Sequence, residues 1–431
     1  MTYAVVGAGP AGLAAVRNLT RFGLDVVGFE IHDDVGGLWD IENPTSTMYD
    51  TAHLISSKRM TEFTEFPMGD ELPPYPHHGE MRTYFRDYAK AFGLYDHYEF
   101  RTEVTRAEPA PGGGWDVTTR HDGEIRTRPL DGVLIATGTL HHPNVPELPG
   151  RFDGTTIHSS EYRNPAELKG RRVLIVGCGN SGADIAVDAV HHAASVDLSV
   201  RRGYYFVPKF ILGRPVDTIG GRMSLPRPLK QRLDAWLLRL VVGRPSDYGL
   251  PDPDYRMYES HPVLNSQVLH HLGHGDITPR PDIKSIEGTT VSFTDGGSGQ
   301  FDLVVLATGF KLHYPFIDAD HLNWRGWAPS LYLNTFHPRR DDLFMLGMVE
   351  AAGLGWEGRN QQAELVARYI RGIREGSEAA LQMRETIRSS PDERLDGGFS
   401  YLPVERMAYY VSKEEFRNRV GRHIRELKGS E

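Results

Sequence analysis

The chain has 431 residues, 39% hydrophobic and 24% charged, with 48 Lys and Arg against 57 Asp and Glu and a formal net charge of −9. This is the balance of a globular protein with two or three domains and a sizeable core, and its acidity offers no basic surface to a nucleic acid. Cys178 is the lone cysteine, which excludes an internal disulfide, a CxxC redox pair and a cysteine-based metal cluster; no apolar run approaches the ~18 residues of a membrane span.

The opening stretch, Met1 to Glu30, reads MTYAVVGAGPAGLAAVRNLTRFGLDVVGFE. Tyr3–Val6 is predicted as a strand, Gly7-x-Gly9-x-x-Gly12 as a turn into a helix, and a second apolar run closes on Glu30. Gly7 suits the tight turn, Gly9 has no Cβ to block a pyrophosphate, and Gly12 lets the helix lie close on the strand. The helix N-terminus, entered through Pro10 and Ala11, offers N–H groups and a partial positive charge to phosphates. Glu30 can accept hydrogen bonds from a ribose diol and would repel a 2′-phosphate, so this site is predicted for FAD or NAD rather than NADP. Because the chain starts directly in a strand, no signal peptide is expected and the predicted setting is cytoplasmic.

A loop follows with Gly36-Gly37-Leu38-Trp39. It is either a ligand-facing turn with a flat apolar wall or a plain turn with a core tryptophan. Met81–Phe92 is predicted helical, its aromatics (Tyr84, Phe85, Tyr88, Phe92) belonging to the core. Tyr98–Ala107, which includes Val104, and Trp115–Arg120 are predicted as a small antiparallel ribbon about the turn Pro111–Gly114. Leu130–Gly138 reads as a buried strand whose end, Ala136-Thr137-Gly138, is small enough for backbone to approach a cofactor. His141 and His142 are adjacent on an extended chain and point apart, so no metal site is expected.

A second cycle opens at Arg171. Strand Val173–Val176 meets Gly177-x-Gly179-x-x-Gly182, with Asn180 and Ser181 inside the turn, and a further strand ends at Val200. Where Glu30 closed the first cycle, Arg201 and Arg202 stand here, a fork suited to a 2′-phosphate and hence to NADPH. Residues 204–262 read as irregular and proline-rich. Within them Leu229, Leu233, Trp236, Leu237 and Leu240 share one helical face. That face could serve a lid, a dimer contact or a membrane surface; with few basic residues nearby, packing on its own domain is expected. Val291–Phe293 and Leu303–Leu306 are predicted as strands about the turn Asp295-Gly296-Gly297, the second ending in Ala307-Thr308-Gly309. Leu343–Met348 is a further buried strand, Gln361–Arg374 (with Gln362) a helix, and Lys413 begins a tail helix.

The predicted fold is α/β, with two Rossmann-like dinucleotide-binding domains, the second inserted into the first. The expected limits are 1–165 and 300–431 for the first domain and 166–299 for the second, including the insertion at about 204–262. Chains crossing twice between such domains are expected to leave a ligand-binding cleft at the junction.

Just ahead of the second glycine turn, Phe152-x-Gly154-x-x-x-His158-x-x-x-Tyr162 resembles the fingerprint of flavin-containing monooxygenases. With GAGPAGL, GGLW, GCGNSGADIA and LATGF in order, the resemblance covers nearly the whole chain. The related Baeyer–Villiger enzymes usually show Trp where Tyr162 stands, which favours heteroatom oxygenation. The resemblance implies FAD on Gly7, Gly9, Pro10, Ala11, Gly12, Glu30, Gly37, Leu38, Trp39, Val104, Ala136, Thr137, Gly138 and Gln362. It implies NADPH on Gly177, Gly179, Asn180, Ser181, Gly182, Arg201, Arg202, Thr308 and Gly309. It further implies that NADPH reduces the flavin, that O₂ adds to give a C4a-hydroperoxide, and that a soft nitrogen or sulfur of a small organic substrate takes one oxygen. Baeyer–Villiger oxidation of ketones, an uncoupled NADPH oxidase and an electron-transfer reductase are the alternatives; a homodimer stays open. His158 is expected to link rather than to act as a base. One departure stands out. Where many members place an asparagine near the flavin peroxide, this chain has Ile55, so either Ser56 or Ser57 substitutes, or the enzyme leaks H₂O₂, or its substrate is not a simple amine.

Overall fold

The computed structural model describes residues 1–219, 226–390 and 393–429. Residues 220–225, part of the stretch predicted to be irregular, lie outside the described residues. The chain divides into two compact units, Met1–Ser46 with Lys58–Thr139 and Leu312–Glu431, and Thr47–Ser57 with Leu140–Lys311. The expected limits near 165 and 300 therefore differ from those observed, and the short stretch Thr47–Ser57 leaves the first unit altogether.

In the first unit five parallel strands lie in the order Leu343–Met345, Gly132–Ile135, Thr2–Val6, Asp25–Phe29, Tyr98–Glu99. The central ones are continuous apolar runs, as strands covered on both faces must be. Val6 stands beside Phe29 on one side and Ile135 on the other, so three strand ends converge where the chain enters its first helix, Pro10–Arg21. That helix begins with proline at its first position, where the missing N–H costs nothing. It buries Ala11–Val16 and Leu19 and packs on the long helix Gly355–Glu375.

The predicted ribbon is larger and shifted. Thr102–Pro109, Trp115–His121 and Glu124–Leu130 form a three-stranded antiparallel sheet, whereas Tyr98–Glu99 belongs to the parallel one. The third strand, EIRTRPL, is largely exposed, so it lacks the apolar alternation that marks a strand in sequence. Tyr84, Phe85 and Tyr88 are buried and stack with Phe63 and Trp356, so the aromatic helix (His78–Ala91) is core.

The second unit repeats the plan: Thr155–His158, Leu303–Leu306, Arg172–Val176, Ser195–Ser199, Ile277–Arg280, all parallel. Leu303–Leu306 is thus not the hairpin partner of Thr290–Phe293; that partner is Ser298–Gln300, in a separate four-stranded sheet. Four consecutive buried apolar residues suit a central parallel strand better than a half-wet hairpin. Thr47–Ser57 is held here by its side chains. Tyr49 Oη donates to Asp184 Oδ2 at 2.9 Å, Thr51 Oγ1 donates to Asp188 Oδ2 at 2.6 Å, and the Tyr49 ring lies 5.6 Å from that of Tyr162.

The helix Arg227–Val242 corrects another expectation. Its stripe of Leu229, Leu233, Trp236, Leu237 and Leu240 faces solvent, and the buried side chain is Gln231, whose amide donates to Met257 O at 2.8 Å. Periodicity shows that a helix has an apolar face; it does not show what that face meets.

Candidate functional site

The two glycine turns are built alike. Gly7 (φ +107°) and Gly177 (φ +100°) sit at their strand ends in conformations that a side chain would strain. A Cβ on Gly7 would lie 2.7 Å from Ala136 O, and one on Gly177 2.6 Å from Ala307 O. A Cβ on Gly12 would lie 1.8 Å from Gly7 O, and one on Gly182 2.1 Å from Gly177 O. The third glycine of each motif thus lets the helix start directly on the turn. The middle glycines differ: Gly9 would make only an ordinary 3.7 Å contact, and Gly179 meets nothing within 4 Å.

The first helical hydrogen bonds are Leu13 N–H to Gly9 O and Ala183 N–H to Gly179 O, both 2.9 Å. The N–H groups of Ala11 and Gly12, and of Asn180, Ser181 and Gly182, precede them and point out of the helix ends. Each end therefore presents N–H groups and a partial positive charge of the kind that suits an anion, forming a cradle.

Around the first cradle, the buried Glu30 closes the turn. Its Oε2 accepts the Ala8 N–H at 2.6 Å and its Oε1 the His32 N–H at 2.9 Å. Burial raises the carboxyl pKa, opposed by those two backbone donors. Tyr98 braces the far side, its ring filling the space over Gly28 and its hydroxyl 3.3 Å from Gly7 O; no glycine pattern signals this residue. Gly37 comes so close that its Cβ would stand 2.9 Å from Gly9 Cα, and Trp39, half-buried, meets Trp356 edge-on at 5.9 Å. The GGLW segment is thus a wall of the cradle. Ala136 and Gly138 close the opposite wall; Gly138 has open space at its Cβ, and the Thr137 hydroxyl is buried with no partner among the described residues.

Two predicted residues sit otherwise than their places in the sequence suggest. The Val104 side chain lies in the core with Val6 and Phe29, which leaves only its backbone for a ligand. Gln362 is buried with its amide engaged: Oε1 accepts the Gly347 N–H at 2.9 Å and Nε2 donates to Thr335 Oγ1 at 2.7 Å. Gly347 in turn abuts Ala11, so Gln362 positions the loop behind the helix start.

Around the second cradle, Asn180 Oδ1 accepts the Leu264 N–H at 2.8 Å and so fastens the helix start to the 262–265 loop. Asn265 donates to Asp184 Oδ1 at 2.6 Å. Burial raises the Asp184 pKa, against the pull of Asn265 and Lys209. The Thr308 hydroxyl donates to Asn144 O at 2.6 Å, while Gly309 is open at its Cβ. Arg201 and Arg202 are exposed at the end of strand Ser195–Ser199. Arg202 makes only a 3.5 Å ion pair with the exposed Asp254, and Arg201 makes none among the described residues, so both guanidiniums can turn to an anion.

His158 is buried, its Nδ1 accepting the Ser160 N–H at 3.1 Å and its ring edge-on to Phe310 at 5.3 Å. Burial lowers its pKa, so it is neutral and fixed. Ile55 and Ser56 are half-buried and Ser57 is buried; the Leu54 carbonyl accepts from Lys209 Nζ at 3.2 Å, and the Ser57 N–H donates to Asp217 Oδ2 at 2.6 Å. Among the described residues no group of three or more His, Cys, Asp or Glu is arranged to hold a metal, and no helix is long and apolar enough to cross a membrane.

The cradles fit dinucleotides by their own geometry: paired helix ends with free N–H groups, middle glycines without a Cβ in the way, and open glycines on the facing strand ends. The family described as Flavin-binding monooxygenase-like matches residues 2–424. The chain is 32% identical to Flavin-containing monooxygenase 3 of Rattus norvegicus over 394 residues, covering 86% of this chain and 73% of the rat protein. It is 30% identical to Dimethylaniline monooxygenase [N-oxide-forming] 2 of Pan troglodytes over 417 residues, covering 91% and 77%. The fold resembles that of cyclohexanone monooxygenase from Rhodococcus sp. Phi1 bound to NADP+, with a TM-score of 0.75, 20% identity and coverage of 100% and 98%. Two Rossmann-like cradles on a chain matched from residue 2 to residue 424 make this a member of the flavin-binding monooxygenase-like family, a flavin-dependent monooxygenase that uses FAD and NADPH.

Proposed function

We propose that this chain transfers one oxygen atom from O₂ to a soft nucleophilic nitrogen or sulfur of a small organic substrate. The observation that carries the reading is the contrast between the two cradles, one closed by a buried carboxylate and one by two exposed arginines. It is supported by likeness to a relative whose name states N-oxide formation.

FAD would be held by the unit containing Glu30 and NADPH by the unit containing Arg201 and Arg202. FAD reduced by NADPH supplies the oxygen-activating chemistry when bound. The chain's own part is to hold and to shield. The N–H groups of Ala11 and Gly12 would take one pyrophosphate, and those of Asn180, Ser181 and Gly182 the other. Glu30, already accepting two backbone N–H groups, keeps lone pairs for a ribose hydroxyl. Arg201 and Arg202 would hold the 2′-phosphate by charge-assisted hydrogen bonds. Leu38 and Trp39 would add apolar surface that helps exclude water, which would otherwise release H₂O₂.

Ile55 offers no hydrogen bond. We read it as leaving the reduced flavin's oxygen chemistry partly unprotected, so that a fraction of NADPH oxidation yields H₂O₂. The test is a panel of amines, thioethers and ketones, with NADPH consumed, product formed and H₂O₂ released all measured. The reading expects N-oxides or sulfoxides. Lactones or esters from ketones alone, or NADPH oxidation matched entirely by H₂O₂, would overturn it. Ile55→Asn should lower the H₂O₂ fraction, and an unchanged fraction would remove the role given to Ile55.

A further inference from the structure

The helix Asn180–Val190, which starts at the second glycine turn, carries three polar side chains at steps of four: Asn180, Asp184 and Asp188. At 100° per residue they fall within about 80° of one face, each about 6 Å further along the axis. Each holds a different piece of the same unit. Asn180 Oδ1 accepts the Leu264 N–H at 2.8 Å. Asp184 Oδ1 accepts from Asn265 Nδ2 at 2.6 Å, and its Oδ2 accepts from Tyr49 Oη at 2.9 Å. Asp188 Oδ2 accepts from Thr51 Oγ1 at 2.6 Å and from Tyr162 Oη at 2.9 Å. One helix face thus grips both the 262–265 loop at the cradle and the segment Thr47–Ser57, which carries Ile55.

Asp184 is where the two meet. Its oxygens are divided, one to the cradle loop and one to the segment, so a single carboxylate feels a shift of either donor through short, charge-assisted bonds. Neither donor turns away freely. Asn265 Oδ1 is itself engaged by the Gln267 and Val268 N–H groups, at 2.9 and 3.3 Å. Tyr49 is buried with its ring against that of Tyr162. The Asp184 charge also acts on Lys209, where it opposes the lowering of the ammonium pKa by burial. Lys209 Nζ donates to the Leu54 carbonyl at 3.2 Å, and the Ser57 N–H donates to Asp217 Oδ2 at 2.6 Å. Lys209 and Asp217 are the two feet of one hairpin, joined by the Val216 N–H bond to Lys209 O at 3.0 Å. The segment is therefore pinned on both sides of Ile55, and the nearer pin lies beside Asp184.

We propose that Asp184 is a positioning residue that ties the fit of the dinucleotide at the second cradle to the placement of Thr47–Ser57. The proposal rests on the assignment of NADPH to that cradle. Binding free energies are reciprocal, so a hydroxyl in the segment should change NADP⁺ affinity by the factor by which NADP⁺ steadies the segment. The test uses the full-length, FAD-loaded protein without substrate. Calorimetry gives NADP⁺ affinity, and mass spectrometry follows amide exchange across residues 47–57 with and without NADP⁺. In the unaltered protein NADP⁺ should slow that exchange. Tyr49→Phe removes one hydroxyl and keeps the ring, so FAD content should hold. NADP⁺ should then bind on the order of fivefold less tightly, and its slowing of exchange should largely vanish. Asp184→Asn leaves one acceptor for two donors and should weaken NADP⁺ on the order of tenfold. Thr51→Val frees the segment from Asp188, which has no hydrogen bond to the cradle loop among the described residues. It should speed exchange while NADP⁺ affinity stays within about twofold, a split that general loosening would not give. Gly179→Ala is the reference, since its methyl enters the cradle and meets nothing of the protein within 4 Å. If it weakens NADP⁺ while Tyr49→Phe and Asp184→Asn do not, the proposal falls and the cradle assignment stands. If it leaves NADP⁺ binding unchanged, both fall. Absence of NADP⁺-dependent slowing in the unaltered protein, or equal losses of affinity from Thr51→Val and Tyr49→Phe, would also overturn the proposal.

Discussion

A single methyl group can separate ligand binding from folding at the second cradle. At Gly179 the backbone is extended (φ −72°) and a Cβ would meet nothing within 4 Å, so Gly179→Ala creates no clash within the protein. Alanine is the poorer helix cap but loses less chain entropy on folding, and the two effects offset to within about 0.5 kcal/mol. If a pyrophosphate passes over this residue, the methyl occupies its path. Losing about 1.4 kcal/mol of cofactor binding is tenfold in affinity, so the KM for NADPH should rise on the order of tenfold or more at unchanged melting temperature. Gly182→Ala is the counterpart. Its Cβ would stand 2.1 Å from Gly177 O, and opening that gap displaces backbone at a cost of about 1–3 kcal/mol. It should lower the melting temperature by about 2–10 °C, whether or not NADPH is present. The assay pairs thermal melts, followed by flavin fluorescence, with steady-state NADPH kinetics. An unchanged KM in a normally folded Gly179→Ala protein would refute the assignment of the pyrophosphate to this turn.

Arg201→Ala with Arg202→Ala should raise the KM for NADPH on the order of tenfold while leaving that for NADH nearly constant; equal effects on both cofactors would remove the 2′-phosphate role. Gln362→Ala strands the Gly347 N–H and removes the donor to Thr335 Oγ1, whose own hydroxyl still donates to Leu333 O, at a cost of about 1–3 kcal/mol, and should loosen FAD through the loop against Ala11. A melt and FAD content equal to those of the unaltered protein would show that the clamp does not matter. His337 is buried, and its Nδ1 accepts the Arg339 N–H at 3.1 Å, so protonation breaks that bond. Burial, with Arg339 and Arg340 nearby, lowers its pKa from 6.5 to about 4. The unfolded chain therefore takes up more protons between those values, and this residue's contribution is intact above pH 6.5 and lost as pH falls toward 4. His337→Asn should flatten that part of a melting-temperature profile, and an identical slope would exclude the effect.

Both cradles were legible because their rule is local: glycines at fixed steps between a strand and a helix, with a charged residue closing the second strand. The limits of the units were not, because they depend on distant partners. Thr47–Ser57 follows the first cradle in sequence but is held in the other unit by Asp184 and Asp188. Nothing in YDTAHLISSK announces that its tyrosine and threonine will meet two aspartates on a later helix. The strand Glu124–Leu130 escaped for a different reason, since exposure on a sheet that half faces water leaves no apolar alternation. The stripe of Arg227–Val242 is legible as an amphipathic face, but its exposure is not, because periodicity does not say what a face meets. Tyr98 reaches Gly7 from 91 residues away, and Gln362 acts through Gly347, which abuts Ala11 near the start of the chain; no spacing encodes those contacts.

The carbonyls that wall the two glycine turns, at Ala136 and Ala307, come from strands made long after the glycines themselves. During synthesis neither pouch can be complete when its signature emerges from the ribosome. The first is delayed further, because the sheet behind it waits for Leu343–Met345, which follows the whole of the other unit. The later-starting unit can thus finish first, and capture of the yellow coenzyme becomes a late proof that the nascent chain has closed its outer fold correctly.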